Sequence, residues 1–436
     1  MKRNIYSDIE VFSRTQIEEI QLSRLKEQLN RCYHLSQFYK KKLTDAGFEP
    51  GSLTRLDQLQ HIPFTYKNEL RESQSIELPW GQLVLPDPEN WVEIHPTTGT
   101  TGAPIYTIWS QNDIKNITEY VTRMLYGIGL RRGDVIHNAF SYGLRVGAIT
   151  VQRVAERLGC FILPVGQESI TTQIQLMVNL RPSFLVSTPS FAFYLAEKLS
   201  LRGMEPPDLS FRVGCFGGEP GVQVPSARIK IERELGLKAF DVYGLVEIGP
   251  LLAAECEQRN GLHWAEDYHL VEVINPETMK PCEPDEVGVL VITDLAREAM
   301  PLIRYWTNDM ASINYKKCDC GRTHARSPGG ILGRVDDLVI FKGVKFYPAQ
   351  VEDVIRRYDE LASGFVVVLC RHEHNAIDKC IVKVECLYTG EGLDLLRDAV
   401  KKALRDELKV DIDVELIRFG TLERSLIKSK RLIDQR

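Results

Sequence analysis

A short run of hydroxyl-bearing residues and glycines near position 100 has the composition of a phosphate-binding loop. The segment IHPTTGTTGAPIYT, at residues 94–107, contains in succession Thr97, Thr98, Gly99, Thr100, Thr101 and Gly102. Glycine allows turns that expose backbone N–H groups, and threonine adds hydroxyl donors, so this run could form a nest for phosphate oxygens. Threonine and glycine clusters also build ordinary loops, and the run alone leaves both interpretations open. A Walker-type loop is excluded, because that motif ends Gly-Lys-Ser/Thr whereas this run continues into Ala103 and Pro104.

The run contains no lysine, so the charge of a bound phosphate must be balanced from other parts of the chain. The cost of leaving it unbalanced is large: two unit charges about 4 Å apart repel by about 1 kcal/mol in water and about 4 kcal/mol at an effective dielectric constant of about 20. Five further segments carry charged, aromatic and glycine residues. They are FGGEP at 216–220, FDVYGLVEIG at 240–249, LIRYWTND at 302–309, GRVDD at 333–337 and RSLIKSKR at 424–431.

In this order and at these intervals, the segments resemble those of the adenylate-forming enzymes, which comprise acyl-CoA synthetases, adenylation domains and luciferases. Within that superfamily the chain resembles the phenylacetate-CoA ligase branch along nearly its whole length. The phrases that carry this resemblance are IPFTYKNELR at 62–71, EAMPLIRY at 298–305 and CDCGRTH at 318–324. The resemblance implies an AMP-forming acid–thiol ligase. Such an enzyme uses ATP to convert an aromatic carboxylic acid to its acyl-adenylate, and then forms the thioester with CoA.

The resemblance also implies roles for two charged residues in adenylation. Glu247, in a Tyr-Gly-x-x-Glu pattern, is expected to hold Mg²⁺, which prefers few protein carboxylates together with phosphate oxygens. Lys428, in the C-terminal segment, is expected to bridge the carboxylate substrate and the α-phosphate. The alternative for Glu247 is an ordinary surface acid.

Nucleotide-binding residues follow from the same resemblance. Asp309 is expected to accept hydrogen bonds from the ribose hydroxyls, with Arg334 assisting. Seven residues in two segments are expected to line the adenine and complete the nucleotide site: Gly218, Glu219, Pro220, Asp241, Val242, Tyr243 and Gly244. Strand-end turns built from the same residues are the alternative.

Acyl binding and domain rotation involve other positions. In the branch, the segment at 138–144 lies beside an aromatic acyl pocket, which makes Tyr142 and Gly143 candidates for contacting an aryl ring. Asp336 is the expected hinge about which the small domain rotates after adenylation, because hinges absorb large backbone changes at few residues. The loop at 342–346 would then approach CoA.

Three residues depart from the superfamily pattern. Ala103 stands where lysine is usual, Trp306 replaces the usual arginine, and Ile427 replaces the glycine before Lys428. These departures leave two alternatives open. The first is an aryl-acid adenylating enzyme of a biosynthetic pathway that passes the acyl group to an amine or a carrier protein, and the second is a nucleotide-binding regulatory protein without catalysis.

Four residues have side chains suited to a closed zinc site. They are Cys256, His263, Cys318 and Cys320. Three thiolates and an imidazole form a tetrahedral structural site, although the Cys-x-Cys spacing is tighter than usual and buried cysteines are commonly packing residues. Resemblance to zinc-binding members of the branch at all four positions keeps structural Zn²⁺ open beside the packing interpretation.

The elements that must position these residues indicate an α/β fold. Apolar residues at three- to five-residue spacing from Ile17 to Cys32 predict an amphipathic helix, and from about residue 115 to 300 helical segments such as 174–180 alternate with short β-rich runs. We predict a large N-terminal α/β domain with helix-covered sheets at 1–333 and a small mobile α+β domain at 334–436, joined by a hinge.

The small domain has its own predicted order of elements. The β-run at 338–341 is followed by a helix at 349–358 and a buried strand at 365–369, and then by a strand at 380–387. A last helix carries Leu396, Val400, Leu404 and Leu408 at i+4 spacing.

Composition excludes some classes of protein. The net charge of −5 argues against a general nucleic-acid binder, and no apolar run approaches the roughly 20 residues that span a bilayer. The charged start does not read as a signal peptide, and ten scattered cysteines do not form a disulfide framework, so we expect a cytoplasmic protein. Its expected partners are ATP, CoA and a small aromatic acid, with a homodimer weakly indicated by the branch.

Overall fold

The chain forms two compact units in a computed structural model. The described residues are 4–77, 79–97, 103–371, 378–388, 390–422 and 431–436. The first unit comprises Met1–Gly166 and Val242–Gly330, and the second comprises Gln167–Asp241 and Ile331–Arg436. The boundary predicted near Gly333 stays a prediction. Among the described residues, no helix combines the length and apolar character needed to cross a bilayer.

The first unit contains five helices, counted over the described residues: α1 (Arg14–Leu35), α2 (Gln37–Asp45), α3 (Lys67–Ile76), α4 (Gln111–Gly127) and α5 (Val146–Leu158). Its first strands are β1 (Trp91–Pro96), β2 (Tyr106–Ser110), β3 (Val135–Asn138) and β4 (Phe161–Leu163). The second unit begins with α6 (Ile170–Leu180), β5 (Phe184–Ser187), α7 (Pro189–Ser200), β6 (Val213–Phe216) and α8 (Pro225–Leu235).

The strand β7 (Lys238–Leu245) divides between the units, its first four residues falling in the second unit and its last four in the first. The first unit then continues with β8 (Gly249–Ala254), β9 (Leu262–Trp264), β10 (His269–Ile274), β11 (Gly288–Asp294), β12 (Tyr305–Ala311) and β13 (Arg326–Ser327).

The C-terminal part of the second unit consists of β14 (Gly333–Arg334), β15 (Val339–Phe341), β16 (Val344–Phe346), α9 (Pro348–Ile355), β17 (Leu361–Arg371), β18 (Asp378–Cys386), α10 (Leu393–Leu408), β19 (Asp413–Arg418) and β20 (Leu432–Asp434). Short 3-10 helices lie at Asp8–Val11, Pro50–Ser52, Leu56–His61, Pro88–Asn90, Pro206–Asp208 and Val335–Asp337.

The helix α1 confirms the amphipathic pattern. Ser13 caps its N-terminus by accepting a hydrogen bond from the backbone N–H of Gln16, which satisfies a donor that the helix itself cannot pair. Four of the five residues that supplied the pattern are fully buried along one face, namely Ile17, Leu25, Leu29 and Cys32, whereas Ile20 is only partly buried. This face therefore anchors the N-terminal segment to the core of the first unit.

Sheets in the first unit carry five of the predicted site residues: Val242, Tyr243, Gly244, His263 and Asp309. The strands β1 and β2 form an antiparallel hairpin, β10, β11 and β12 form an antiparallel sheet, and β3 pairs in parallel with β4. The last part of β7 pairs with β8, which continues through β9 to β13. The α/β class predicted from the alternation is confirmed.

In the second unit, β5, β6 and the start of β7 are parallel and are connected by α7 and α8. The strands β19, β18, β17 and β20 form a second sheet in that order. Its central strand β17 buries residues on both faces, as its apolar run predicts. Val400, Leu404 and Leu408 of α10 are buried in the same core, while Leu396 lies partly buried at its edge.

Two local predictions in this region are corrected. The helix predicted over 349–358 ends at Ile355, because the next turn closes with i to i−3 hydrogen bonds from Arg357 and Tyr358 that lead the chain into β17. The segment predicted as a loop at 342–346 is part of the β15–β16 hairpin. Lys342 and Gly343 form its two-residue turn with φ of 49° and 78°, which is the conformation that tight hairpins favour.

Candidate active site

The threonine and glycine run is closed at its base by reciprocal hydrogen bonds. Beyond the last β1–β2 pair, Pro96 and Tyr106, the backbone N–H of Thr97 donates to the carbonyl of Ile105 at 2.8 Å. The backbone N–H of Ile105 donates in turn to Oγ1 of Thr97 at 3.0 Å. Thr97 is buried, and its two hydrogen bonds hold it against Ile105. The remaining predicted phosphate ligands lie outside the described residues, and they are Thr98, Gly99, Thr100, Thr101 and Gly102.

Glu247, the predicted magnesium ligand, follows the end of β7 and is buried. Its Oε1 lies 2.8 Å from Nζ of Lys67 and 3.3 Å from the hydroxyl of Tyr305. Its carbonyl and that of Ile248 accept hydrogen bonds from Nη1 of Arg297 at 2.7 and 2.8 Å. These contacts fix both the backbone and the carboxylate, so Glu247 is a built-in anionic group and not a loose surface acid.

Two predicted nucleotide-binding residues are brought together in the first unit. The hydroxyl of Tyr243 donates to Oδ2 of Asp309 at 2.6 Å, and the backbone N–H of Asp309 donates to Oγ1 of Thr307 at 3.0 Å. Asp309 is 95% buried, and the hydrogen bond from Tyr243 fixes the orientation of its carboxylate. A buried acid needs such a partner, and a fixed carboxylate is suited to binding ribose hydroxyls. Gly244 lies tightly against β8, since a Cβ there would stand 2.0 Å from the carbonyl oxygen of Pro250. Val242 is a buried apolar residue of the same strand.

Other predicted nucleotide-binding residues lie in the second unit. Gly218, Glu219 and Pro220 follow β6, and Asp241 pairs in register with Phe216 of that strand. Oε1 of Glu219 accepts a hydrogen bond from the backbone N–H of Ser190 in the first turn of α7, where a negative charge is favourable.

The predicted hinge and ribose-assisting residues contact each other. Arg334 and Asp336 form an ion pair with Nε to Oδ1 at 2.9 Å beside the short 3-10 helix Val335–Asp337. Gly333, which precedes them, leaves no room for a side chain, because a Cβ there would lie 2.5 Å from the ring of Tyr347. Lys428 and Ile427 lie outside the described residues.

Tyr142, the candidate acyl-binding residue, is half-buried, and burial raises the pKa of its hydroxyl. Its hydroxyl accepts a hydrogen bond from Nδ2 of Asn138 at 2.9 Å, and the same amide donates to the carbonyl of Ala148. The ring is thus held at a defined position, next to Gly143, whose φ of 77° suits glycine. The oriented ring could form one wall of an acyl pocket.

The four candidate zinc ligands converge in the first unit. Their ligand atoms all lie within 4.8 Å of one another, and all four residues are buried: Cys256, His263, Cys318 and Cys320. The Cys256 and Cys318 sulfurs are 3.8 Å apart, and the Cys320 sulfur is 3.7 Å from Nε2 of His263. Tetrahedral zinc with bonds of about 2.3 Å to sulfur and about 2.0 Å to nitrogen requires separations of about 3.8 and about 3.6 Å. The geometry therefore fits a closed zinc site.

The charges of this cluster are uneven. Hydrogen bonds from Cys256 and Cys320 hold the pKa of the Cys318 thiol well below its ordinary value, while the pKa of Cys256 is raised by the same contact. Burial lowers the pKa of His263, which keeps its imidazole neutral. Three sulfur atoms and one imidazole nitrogen form a donor set suited to zinc.

Trp306, a departure from the superfamily pattern, belongs to an aromatic cluster. Its ring centroid lies 5.1 Å from that of Phe64 and 5.9 Å from that of Tyr66, and its Nε1 donates to Oδ1 of Asn308. The indole therefore packs against the segment that leads into α3.

Sequence reasoning missed Lys67, Tyr305 and Arg297 as partners of Glu247. Lys67 and Tyr305 lie in two of the quoted phrases, at 62–71 and 298–305, and those phrases were the only available signal. Their contacts with Glu247 join distant parts of the chain, so no local pattern could reveal them.

Known relatives define the chain as a ligase of the adenylate-forming class. Residues 343–436 match the family described as AMP-binding enzyme C-terminal domain. Phenylacetate-coenzyme A ligase of Thermus thermophilus is 36% identical, over 98% of this chain and 99% of that protein. The enzyme of the same name from Pseudomonas putida is 33% identical, over 100% and 98%.

A solved structure agrees with these relatives. The crystal structure of 2-hydroxyisobutyryl-CoA ligase in the postadenylation state, in complex with 2-HIB-AMP, is 27% identical with a TM-score of 0.92, covering 98% of this chain and 92% of that one. The chain belongs to the phenylacetate-CoA ligase family. It is an AMP-forming acid–thiol ligase, which forms an acyl-adenylate from ATP and then a thioester with CoA.

Proposed function

We propose that this ligase activates an aromatic carboxylic acid. The observation that carries the proposal is the full-length likeness to phenylacetate-CoA ligases, whose named substrate is an aryl acid. The half-buried ring of Tyr142, oriented by Asn138, supports it, since an aryl ring packs well against an aromatic face. Tyr142 and Gly143 are the residues proposed to contact the acyl group.

In the first half-reaction a carboxylate oxygen of the acid bonds to the α-phosphorus of ATP, and the bond from that phosphorus to the bridging oxygen breaks, so that pyrophosphate leaves with the electron pair. In the second, the CoA sulfur bonds to the acyl carbon, its proton is lost, and AMP leaves. Lys428 is proposed to bridge the two anions in the first step, because a preorganised positive group lowers the barrier to their approach.

Nucleotide binding is proposed for the residues that the family resemblance implies. Asp309, held by Tyr243, would accept the ribose hydroxyls, and Arg334 would assist it. The adenine would be lined by the two strand-end segments already named, at 218–220 and 241–244, and the triphosphate would bind the run at 97–102. Asp336 is proposed as the hinge, and the β15–β16 hairpin, with Lys342 at its turn, as the part that approaches CoA.

Two metals are part of the proposal. The buried carboxylate of Glu247 suits magnesium, because Arg297 fixes its position through the backbone and magnesium prefers few protein carboxylates together with phosphate oxygens. Magnesium bound there would neutralise part of the phosphate charge. Zinc is proposed as a structural ion of the cysteine and histidine cluster, on the basis of the sulfur and nitrogen separations given above.

A cytoplasmic location and a homodimer complete the proposal. All ten cysteines lie among the described residues and all are free, which suits a reducing compartment. The homodimer rests on family resemblance alone.

The test is a pyrophosphate-release screen over aryl and alkyl acids, with and without CoA. We expect release that depends on an aryl acid, and accumulation of the thioester when CoA is present. A thioester-free product with an amine or carrier protein would favour the alternative acceptor, and ATP binding without any release would favour a regulatory protein. Lys428→Ala should lower acid-dependent ATP–pyrophosphate exchange by on the order of 100-fold, the effect of removing one preorganised charged donor, whereas Lys402→Ala on α10 should not.

A further inference from the structure

The first residue of α3 is a lysine that faces the predicted magnesium ligand. Nζ of Lys67 lies 2.8 Å from Oε1 of Glu247, and its side chain keeps 34% of its exposure whereas that of Glu247 keeps 7%. The pair therefore joins a fixed, buried anion to a cation on a long stem that is still partly in solvent. If one of the two partners is to move, it is the lysine.

Position 67 is an unfavourable place for a cation in a helix. The N-terminus of a helix carries a partial positive charge, which stabilises acids and destabilises lysine within the first turn. The same turn contains the favourable residue: Glu69 accepts a hydrogen bond from the backbone N–H of Tyr66 and so caps the helix. Capping thus explains Glu69, whereas the contact that the structure gives for Lys67 is with the acid it faces.

The same face of α3 contacts the described residues that follow the threonine and glycine run. Arg71, one turn after Lys67, donates from Nε to the carbonyl oxygen of Ala103 at 3.2 Å. Gln74, at the next turn, exchanges two hydrogen bonds with the backbone of Tyr106, at 2.7 and 3.1 Å. Residues at i, i+4 and i+7 lie on one helix face. This face therefore runs from Glu247 to the segment that ends the run.

Residues 96–105, which include the run, contain no lysine, arginine or histidine, so a cation for a bound phosphate must come from another segment. We propose that Lys67 supplies this missing charge. When ATP enters, the ammonium of Lys67 moves from Glu247 to the β- and γ-phosphates. The carboxylate of Glu247 then becomes available to magnesium. The ammonium stabilises the electron pair that stays on pyrophosphate when the carboxylate oxygen of the acid bonds to the α-phosphorus. Arg71 is a positioning residue that ties α3 to the end of the run.

This inference rests on the proposed adenylation, and it assigns Lys67 to the outer phosphates and not to the nucleoside. It therefore predicts a difference between ligands. AMP has only the phosphate that stays with the nucleoside, so its binding should not depend on Lys67, whereas ATP and pyrophosphate should depend on it. A lysine that only maintains the local structure would affect all three ligands together.

The experiment measures the Kd of MgATP, magnesium pyrophosphate and AMP by calorimetry on the full-length protein. Lys67→Met should raise the Kd of the first two by about tenfold or more, as loss of a charge-assisted contact does, and leave that of AMP within about twofold. Lys67→Arg should restore most of the affinity. The control is Lys42→Met: Lys42 forms another lysine–glutamate pair of 2.8 Å with α3, through Glu69, away from Glu247.

If Lys67→Met does not fold, Lys67→Gln provides the same test, because the amide can still donate to Glu247 but carries no charge. An unchanged Kd for MgATP, or an equal rise for AMP and ATP, would overturn the inference. These outcomes are separate from failure of the proposed function: wild-type protein that binds ATP but exchanges no pyrophosphate with any acid would overturn adenylation itself.

Discussion

The hydroxyl of Tyr243 lies 2.6 Å from Oδ2 of Asp309, joining the end of β7 to the middle of β12 across 66 positions of sequence. Resemblance assigned both residues to the nucleotide, but to different parts of it. Their contact means that the two assignments are not independent. The tyrosine orients the carboxylate that is proposed to bind the ribose, so its loss should weaken nucleotide binding even if its ring never touches the ligand.

Asp309→Asn should weaken AMP binding more than Tyr243→Phe does. Removing the charge turns charge-assisted hydrogen bonds, which contribute about 1.5–3 kcal/mol each, into neutral ones of about 0.5–1.5 kcal/mol, so a rise of about tenfold in the Kd of AMP is expected. Tyr243→Phe removes only the orienting contact, and a rise of about threefold to fivefold is expected. Calorimetric titration with AMP measures both.

Tyr315→Phe is the matched control, because this exposed tyrosine of the first unit packs against Arg14 and not against the candidate site. It should leave the Kd of AMP unchanged. A larger effect for Tyr243→Phe than for Asp309→Asn would show that the tyrosine hydroxyl contacts the nucleotide directly and does not act only through Asp309.

Removing one ligand of the cysteine and histidine cluster should remove the metal. For Cys318→Ser we expect elemental analysis to find well under one zinc per chain, against about one for the wild type, and the melting temperature to fall, because a bound ion stabilises the folded state. Cys282→Ser, at a half-buried cysteine of the same unit outside the cluster, should change neither. Wild-type protein that contains no zinc and keeps its melting temperature in chelator would leave the cluster as a packing site.

The elements and the residues of the candidate site were predictable to different degrees. The helices α1 and α10 followed from their periodic apolar faces, since a local pattern decides which face is buried. The end of α9 at Ile355 was not predictable from a local pattern. It depends on hydrogen bonds from the buried guanidinium of Arg356 to the carbonyls of Ala362 and Ser363 in β17. Contacts such as Lys67 with Glu247 depend on tertiary packing, which periodicity does not encode.

The β1 strand should lose stability in acid through Glu93. Although burial alone would raise its pKa, hydrogen bonds and charges from His95 and Arg153 hold the pKa of Glu93 at about 2, below its ordinary value of 4.5. A pKa that is lower in the folded than in the unfolded state contributes stability above the unfolded value, and this contribution is lost as the pH falls through the folded value. The loss should therefore run from about pH 4.5 towards about pH 2.

The measurement compares the free energy of unfolding in urea for wild type and Glu93→Gln as a function of pH. The gap between the two proteins should be largest near neutrality and shrink below about pH 4.5, because the wild type gains the proton that the variant never needs. Glu49→Gln, at an exposed glutamate of the same unit, should show no such gap. A gap that stays constant across this range would mean that Glu93 is not stabilised as an anion.

Gly244, predicted as a nucleotide-binding residue, has a separate structural requirement. A Cβ at this position would lie 2.0 Å from the carbonyl oxygen of Pro250 and 2.3 Å from its carbonyl carbon, and a backbone group cannot rotate away as a side chain can. Gly244→Ala should therefore separate β7 from β8 and destabilise the protein by about 1–3 kcal/mol, the usual cost of overpacking. Gly51→Ala is the control, since no atom lies within 4 Å of its added Cβ.

Urea unfolding measures the difference in stability. Because Gly244 stands next to Tyr243, AMP binding should weaken in parallel. Weakened AMP binding at unchanged stability would instead place Gly244 directly against the nucleotide.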